Sequence, residues 1–236
     1  MKRFFPLLFL LILSCQESPE QKSAVQIDSA FAAQQNVSQS STQKTDTVKL
    51  FSLPPAMDGD LVFQISDHPN AKALQAATGS KYNNIGLVFF RKKDQQYMVI
   101  EVLDSTHVVP LTEWAQHGEG NHIALLRLKD ANRMLNEKKM KSLKETVKSL
   151  RGRKADPYFG WDDATVYSSE LIWKTYHAGL NLDLCQPGLL SSFDATKEPF
   201  KSNAAKKYGG KIPAGEKAVT PDDLYKSPKL EIIFER

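Results

Sequence analysis

The sequence predicts an α+β fold, with a mixed or mostly antiparallel sheet packed against helices. Three observations carry that expectation. Short apolar strand candidates cluster between residues 61 and 128, and two of them are joined by a polar turn. Two helical patterns follow, at 130–150 and Ser168–Leu180. No internal repeat runs through the chain.

The elements are argued in order. Asp58-Gly59-Asp60 reads as a turn, and Leu61-Val62-Phe63-Gln64-Ile65 as the first strand after it. Residues 70–78 read as a short helix ended by Gly79. Residues 85–91 and 97–103 are two strands, with Lys92-Lys93-Asp94-Gln95-Gln96 as the turn of an antiparallel hairpin. Residues 111–117 read as a short helix capped by Thr112, and 122–128 as another strand. The 130–150 pattern is amphipathic. Met134, Leu135, Met140, Leu143, Val147 and Leu150 form its inner side, and its lysines form a solvated outer face. Leu171, Ile172, Tyr176 and Leu180 recur at helical spacing in the second helix. The tail from Tyr208 is punctuated by Pro and Gly and ends in a strand-like 230–234.

Composition excludes several classes. The chain has 236 residues and a formal net charge of +4, too small for a dedicated nucleic-acid binder. Large apolar residues recur along most of its length, which argues against general disorder. Two cysteines, Cys15 and Cys185, rule out a disulfide scaffold. No metal or cofactor motif stands out.

The N-terminus reads as an address. Met1-Lys2-Arg3 is a charged start, and Phe4 to Leu13 is a short apolar run broken only by Pro6. That run is half the roughly 20 residues a membrane span needs, and it fits a secretory signal. It ends Ile12-Leu13-Ser14-Cys15, which resembles a bacterial lipobox. The resemblance implies cleavage after residue 14, lipid on Cys15, and a membrane-anchored protein of the bacterial envelope, periplasmic or outer-membrane-associated. Losing Lys2 and Arg3 halves the excess positive charge. Residues 15–54 are rich in Gln, Ser, Thr and Ala and read as a flexible tether, with Pro54-Pro55 at the boundary of a domain over 55–236.

The domain carries three signatures in a particular order. Gly59-Asp60-Leu61-Val62-Phe63-Gln64 comes first, Ser80-Lys81-Tyr82-Asn83-Asn84-Ile85-Gly86 second, and Tyr167-Ser168-Ser169-Glu170-Leu171-Ile172-Trp173-Lys174 third. The set resembles the papain-like and NlpC-type amidases and cysteine peptidases. Its order resembles the circularly permuted YiiX/YaeF-like branch, in which the nucleophile helix comes last. Pro110-Leu111-Thr112-Glu113-Trp114, His117-Gly118-Glu119 and Tyr158-Phe159-Gly160-Trp161-Asp162-Asp163 extend the likeness across nearly the whole domain. The resemblance implies a permuted papain-like fold and a hydrolase ancestry.

The two residues that should perform the chemistry are replaced. The nucleophilic cysteine maps onto Ser168 and the general-base histidine onto Asn84, while Glu101 occupies the orienting position. A cysteine at a helix N-terminus gains thiolate character from the helix dipole and a paired imidazole. Serine is a far weaker acid and needs a base in reach. Asparagine donates and accepts hydrogen bonds but takes no proton near neutral pH. Ser168 or Ser169 also suits a helix cap, Ser168 suits a ligand hydrogen bond, and Asn84 suits a bond to Ser168 or Glu101. His107, His117, His122 and His177 read as exposed or structural, Cys185 as a buried inert thiol, and Asp60 as a local turn residue.

Three readings follow. The first is a lipid-anchored, catalytically impaired relative that binds an acyl, peptide or peptidoglycan-derived ligand in the retained cleft. Tyr158, Phe159, Trp161 and Tyr167 would line that cleft, Tyr82 would bind as well, and Glu101 and Asn84 would be its polar anchors. The second is a serine-variant hydrolase of amide or ester bonds, with Ser168 as nucleophile and a relocated base. The third is a scaffold with no ligand in the cleft.

Overall fold

The computed structural model describes residues 55–236. The signal at 1–14, Cys15 and the tether at 15–54 lie outside the described residues. Among those described, no helix is long and apolar enough to cross a membrane.

The Asp58-Gly59-Asp60 turn leads into β1 (Leu61–Gln64). Gly59 sits at φ +88°, and a Cβ there would lie 2.7 Å from Leu135 Cδ1, so both backbone and packing require glycine. α1 (Pro69–Thr78) is capped by His68, whose Nδ1 accepts the Asn70 N–H at 3.3 Å, and Gly79 ends it in the left-handed conformation. β2 (Asn84–Arg91) and β3 (Gln96–Val102) form the expected hairpin. β4 (Thr106–Pro110) lies where the sequence suggests only a connection, and it pairs with β3.

α2 (Leu111–Trp114) is a single turn begun by Pro110, with no side-chain cap from Thr112. β5 (Ala124–Leu128) starts after a short 3-10 turn that His122 closes. The helix expected over 130–150 is two helices, α3 (Ala131–Met134) and α4 (Glu137–Leu150). The break has a local cause: Asn136 turns extended, and its side chain accepts the Lys139 N–H at 3.0 Å, starting a new helix. Two-residue strands β6 (Lys154–Ala155) and β7 (Thr165–Val166) flank the loop before α5 (Ser168–Leu180). Beyond it come β8 (Gly188–Leu189), α6 (Phe200–Tyr208), β9 (Lys217–Ala218), α7 (Pro221–Tyr225) and β10 (Leu230–Glu235).

Six strands form one sheet in the order β10-β5-β1-β2-β3-β4. Every neighbouring pair in it is antiparallel. The side-chain period of two gives the sheet two apolar faces. Leu61, Phe63, Ile85, Leu87 and Ile100 pack under α4 and α5, against Leu143, Leu171, Ile172 and Tyr176. Val62, Val88, Val99 and Leu125 point the other way, onto Leu111, Trp114 and Ile123. On β2, any Cβ at Gly86 would overlap the Val99 side chain of β3. A third cluster, around Phe159, Phe193 and Phe200, joins α1 to α6 and the loop that precedes α5.

Candidate functional site

Glu101 is the centre of the polar site. It lies near the end of β3, 2% exposed, on the same face as Val99. Its carboxylate receives three donors. Asn84 Nδ2 donates to Oε2 at 2.6 Å, and Trp114 Nε1 donates to the same oxygen at 2.8 Å. His107 Nε2 lies 3.1 Å from Oε1. Asn84 opens β2, held in place by its neighbour Asn83, which exchanges hydrogen bonds with the Ser66 backbone at 2.7 and 3.0 Å.

His107 is the residue the sequence reading missed. It was expected in an exposed connection, but β4 makes it the cross-strand partner of Glu101. The bond to Glu101 raises its pKa above the ordinary value, helped by the Ser105 carbonyl 2.9 Å from Nδ1 and opposed by partial burial. A histidine whose folded pKa is raised adds stability below its unfolded pKa of about 6.5 and loses it as pH rises through the folded value. An NMR titration of the His107 ring should therefore give a midpoint above that of a free histidine. Glu101→Gln should bring it down; an unchanged midpoint would break the assigned pair.

Ser168 is the first residue of α5 and is 5% exposed, yet among the described residues its Oγ has no hydrogen-bond partner. Asn84 Oδ1 also lacks one, so no hydrogen bond joins the two residues. Neither serine caps the helix. Tyr167 is the N-cap residue, and its N–H donates to Glu170 Oε2 at 3.3 Å. Ser169 Oγ instead donates to the Val219 carbonyl at 2.7 Å. The helix begins at Ser168, so the N-cap position falls on Tyr167 and the serines stand one and two residues inside it, while Glu170 takes up the Tyr167 N–H. Burial pushes the Glu170 carboxyl up to about 8, while Lys174 Nζ, 2.9 Å away, pulls in the opposite direction.

The space at Ser168 is small, about 20 Å³, and is bordered by Asn70, Leu74, Val102, Asp156, Phe159 and Tyr167. That is room for about one water molecule. Asp156 is a buried carboxylate there, its oxygens accepting the N–H groups of Tyr158 at 2.8 Å and Gly160 at 2.7 Å. Burial raises its pKa.

The expected aromatic lining disperses. Tyr167 and Phe159 border the Ser168 space. Tyr82 is buried elsewhere, its hydroxyl donating to Glu235 Oε1 at 2.7 Å on β10. Tyr158 lies half-buried, with Lys207 over its ring. Trp161 packs edge-on to Trp173 in a separate cavity of about 550 Å³ that Lys174 and His177 also line. His117 and His122 are exposed, and His177 stacks on Trp173. Cys185 is half-buried, and burial lifts its thiol to about 12. Asp60 does more than close a turn: it accepts the Met57 N–H at 2.7 Å and pairs with Arg127 of β5 through two bonds of 2.8 Å.

Comparison with known proteins places this geometry. A family model described as permuted papain-like amidase enzyme, YaeF/YiiX, matches residues 56–234. The chain belongs to that family. Within it, the uncharacterized protein YiiX of Escherichia coli is 29% identical over 187 residues, covering 79% of this chain and 90% of its own. A crystal structure described as that of the metalloprotein YiiX from Escherichia coli superposes with a TM-score of 0.66 at 29% identity, covering 76% of this chain and 97% of that one. The six-stranded antiparallel sheet with its flanking helices is thus the permuted papain-like fold of the YaeF/YiiX family. Among the described residues here, no three His, Cys, Asp or Glu side chains gather into a group that could hold a metal ion.

Proposed function

We propose that this YaeF/YiiX-family domain is a non-hydrolytic, ligand-binding relative of the amidases, tethered to the bacterial envelope by lipid on Cys15. One observation carries the reading: among the described residues, Ser168 Oγ is buried without a hydrogen-bond partner, so no base is in direct contact with its proton, and the carboxylate bordering the same space, Asp156, is committed to two backbone N–H groups. Asn84 donates its amide to Glu101 and has no proton-accepting nitrogen to offer. His107 is engaged with the same carboxylate. The set keeps the orienting half of an amidase site while lacking its nucleophile–base pair.

The ligand class follows from the family: an acyl, peptide or cell-wall fragment. A space of about 20 Å³ admits none of these as it stands, so binding at Ser168 requires α1 or the 156–160 loop to move away. The lipid anchor rests on Leu13-Ser14-Cys15 and on the polar segment that follows.

A fluorophosphonate probe tests the chemistry. The expected result is no labelling of the intact protein, together with a raised melting temperature in the presence of a muropeptide or N-acyl amino acid. Labelling that disappears in Ser168→Ala would establish a serine hydrolase and overturn the proposal.

A further inference from the structure

β2 carries Asn84 at one end and Phe89, Phe90 and Arg91 at the other. At about 3.3 Å per residue, those ends are on the order of 20 Å apart. A further groove, of about 770 Å³, lies at the far end, between β2 and α4. Its floor is apolar, built from Phe89, Leu135, Met140 and Val147. Phe89, Leu135 and Met140 are only partly buried against the core beneath them. The break between α3 and α4 places Leu135 there, because the chain turns at Asn136 instead of continuing as one helix.

The rim is charged, with five cations against three anions. Arg91 and Lys92 stand on the β2 side, and Lys141, Lys144 and Lys148 on α4, facing Asp58, Glu137 and Glu145. Arg91 is paired with Asp94 and Lys144 with Asp58, and Lys141 lies 4.0 Å from Glu145. Lys92 and Lys148 are exposed and form no ion pair among the described residues. An apolar trough with uncommitted ammonium groups on both banks is complementary to a hydrocarbon chain that ends in an anion.

We propose that this groove binds the acyl chain of a single-chain anionic lipid, its head held by Lys92 and Lys148. The site is separate from Ser168 and independent of whether that residue reacts. It also gives the lysines of α4 a role beyond keeping a helix face soluble.

Three detergents of equal chain length test the proposal by calorimetry below their micelle concentrations: dodecanoate, dodecyl maltoside and dodecyltrimethylammonium. Dodecanoate should bind roughly tenfold more tightly than the neutral chain, and the cationic chain most weakly. Lys92→Glu with Lys148→Glu should erase that preference while sparing dodecyl maltoside. Met140→Glu should abolish binding of all three. Because both lysines are exposed, the lysine pair still decides the matter if Met140→Glu fails to fold. Equal affinity for the three heads would overturn the proposal, as would dodecanoate binding that survives Met140→Glu in a folded protein. A dimer that Met140→Glu dissolves, in a protein that binds no dodecanoate, would assign the groove to a second copy of the chain and overturn it too.

Discussion

Glu101→Ala should lower the unfolding free energy by about 3–5 kcal/mol, read from urea or thermal unfolding. The carboxylate is 2% exposed and receives Asn84, Trp114 and His107. Truncation strands the Asn84 amide and the Trp114 indole N–H, both in buried residues, at about 1–3 kcal/mol each. It also opens a cavity between β3 and α2, which adds a packing loss. His107 is half-exposed and can turn to water, so it contributes little to the cost. Glu101→Gln keeps the volume and one acceptor oxygen and should cost less than half as much. If alanine cost no more than glutamine, Glu101 would not be organising this cluster. The experiment also bears on the proposed function: the carboxylate that would orient a catalytic histidine in an amidase accepts from Asn84 here and lies beside His107.

The second large effect is at the opposite end of β1. Asp60→Ala should cost about 3–5 kcal/mol, because it leaves the Arg127 guanidinium, mostly buried, without its counter-charge. Asp60 is 1% exposed and is held by two bonds from Arg127 and one from Met57. Burial raises its carboxyl pKa even with the guanidinium beside it. The cost therefore comes mainly from orphaning a partner, and a double-mutant cycle exposes this. Asp60→Ala combined with Arg127→Met should recover much of the loss, since an unpaired charge is no longer buried. Simple additivity of the two single variants would show that the pair is not coupled.

These two carboxylates differ in how far the sequence revealed them. Asp60 was visible as the second residue of a Gly-Asp turn, but Arg127 was not, since 67 positions separate the two. Glu101 was visible through its family likeness, and its bond to Asn84 was one of the two anticipated for that residue. His107 was hidden because a strand of five residues after a short turn reads as a connection when its side chains are only half-buried. The cross-strand register of β3 and β4 was the signal that would have found it. The serine caps were misjudged for a related reason. Ser, Asp and Asn favour caps, but the helix begins at Ser168 itself, so the cap position falls on Tyr167 and the serines lie inside the first turn.

The sequence alone determined the fold class, the hairpin of β2 and β3, the extent of α5 and the permuted order of the three signatures, because these depend on local period and on motif order. Through its resemblance to the family it also placed Ser168 and Asn84 at the positions of the nucleophile and base, which is the ground of the proposed loss of hydrolysis. Only the tertiary structure decided what those residues touch. Antiparallel register brings Asn84, His107 and Trp114 onto one carboxylate, and packing around Ser168 leaves its hydroxyl without a partner. Periodicity specifies which face a side chain takes, but contacts between distant segments are set by register and by the filling of the core, and neither is written in any one stretch of chain.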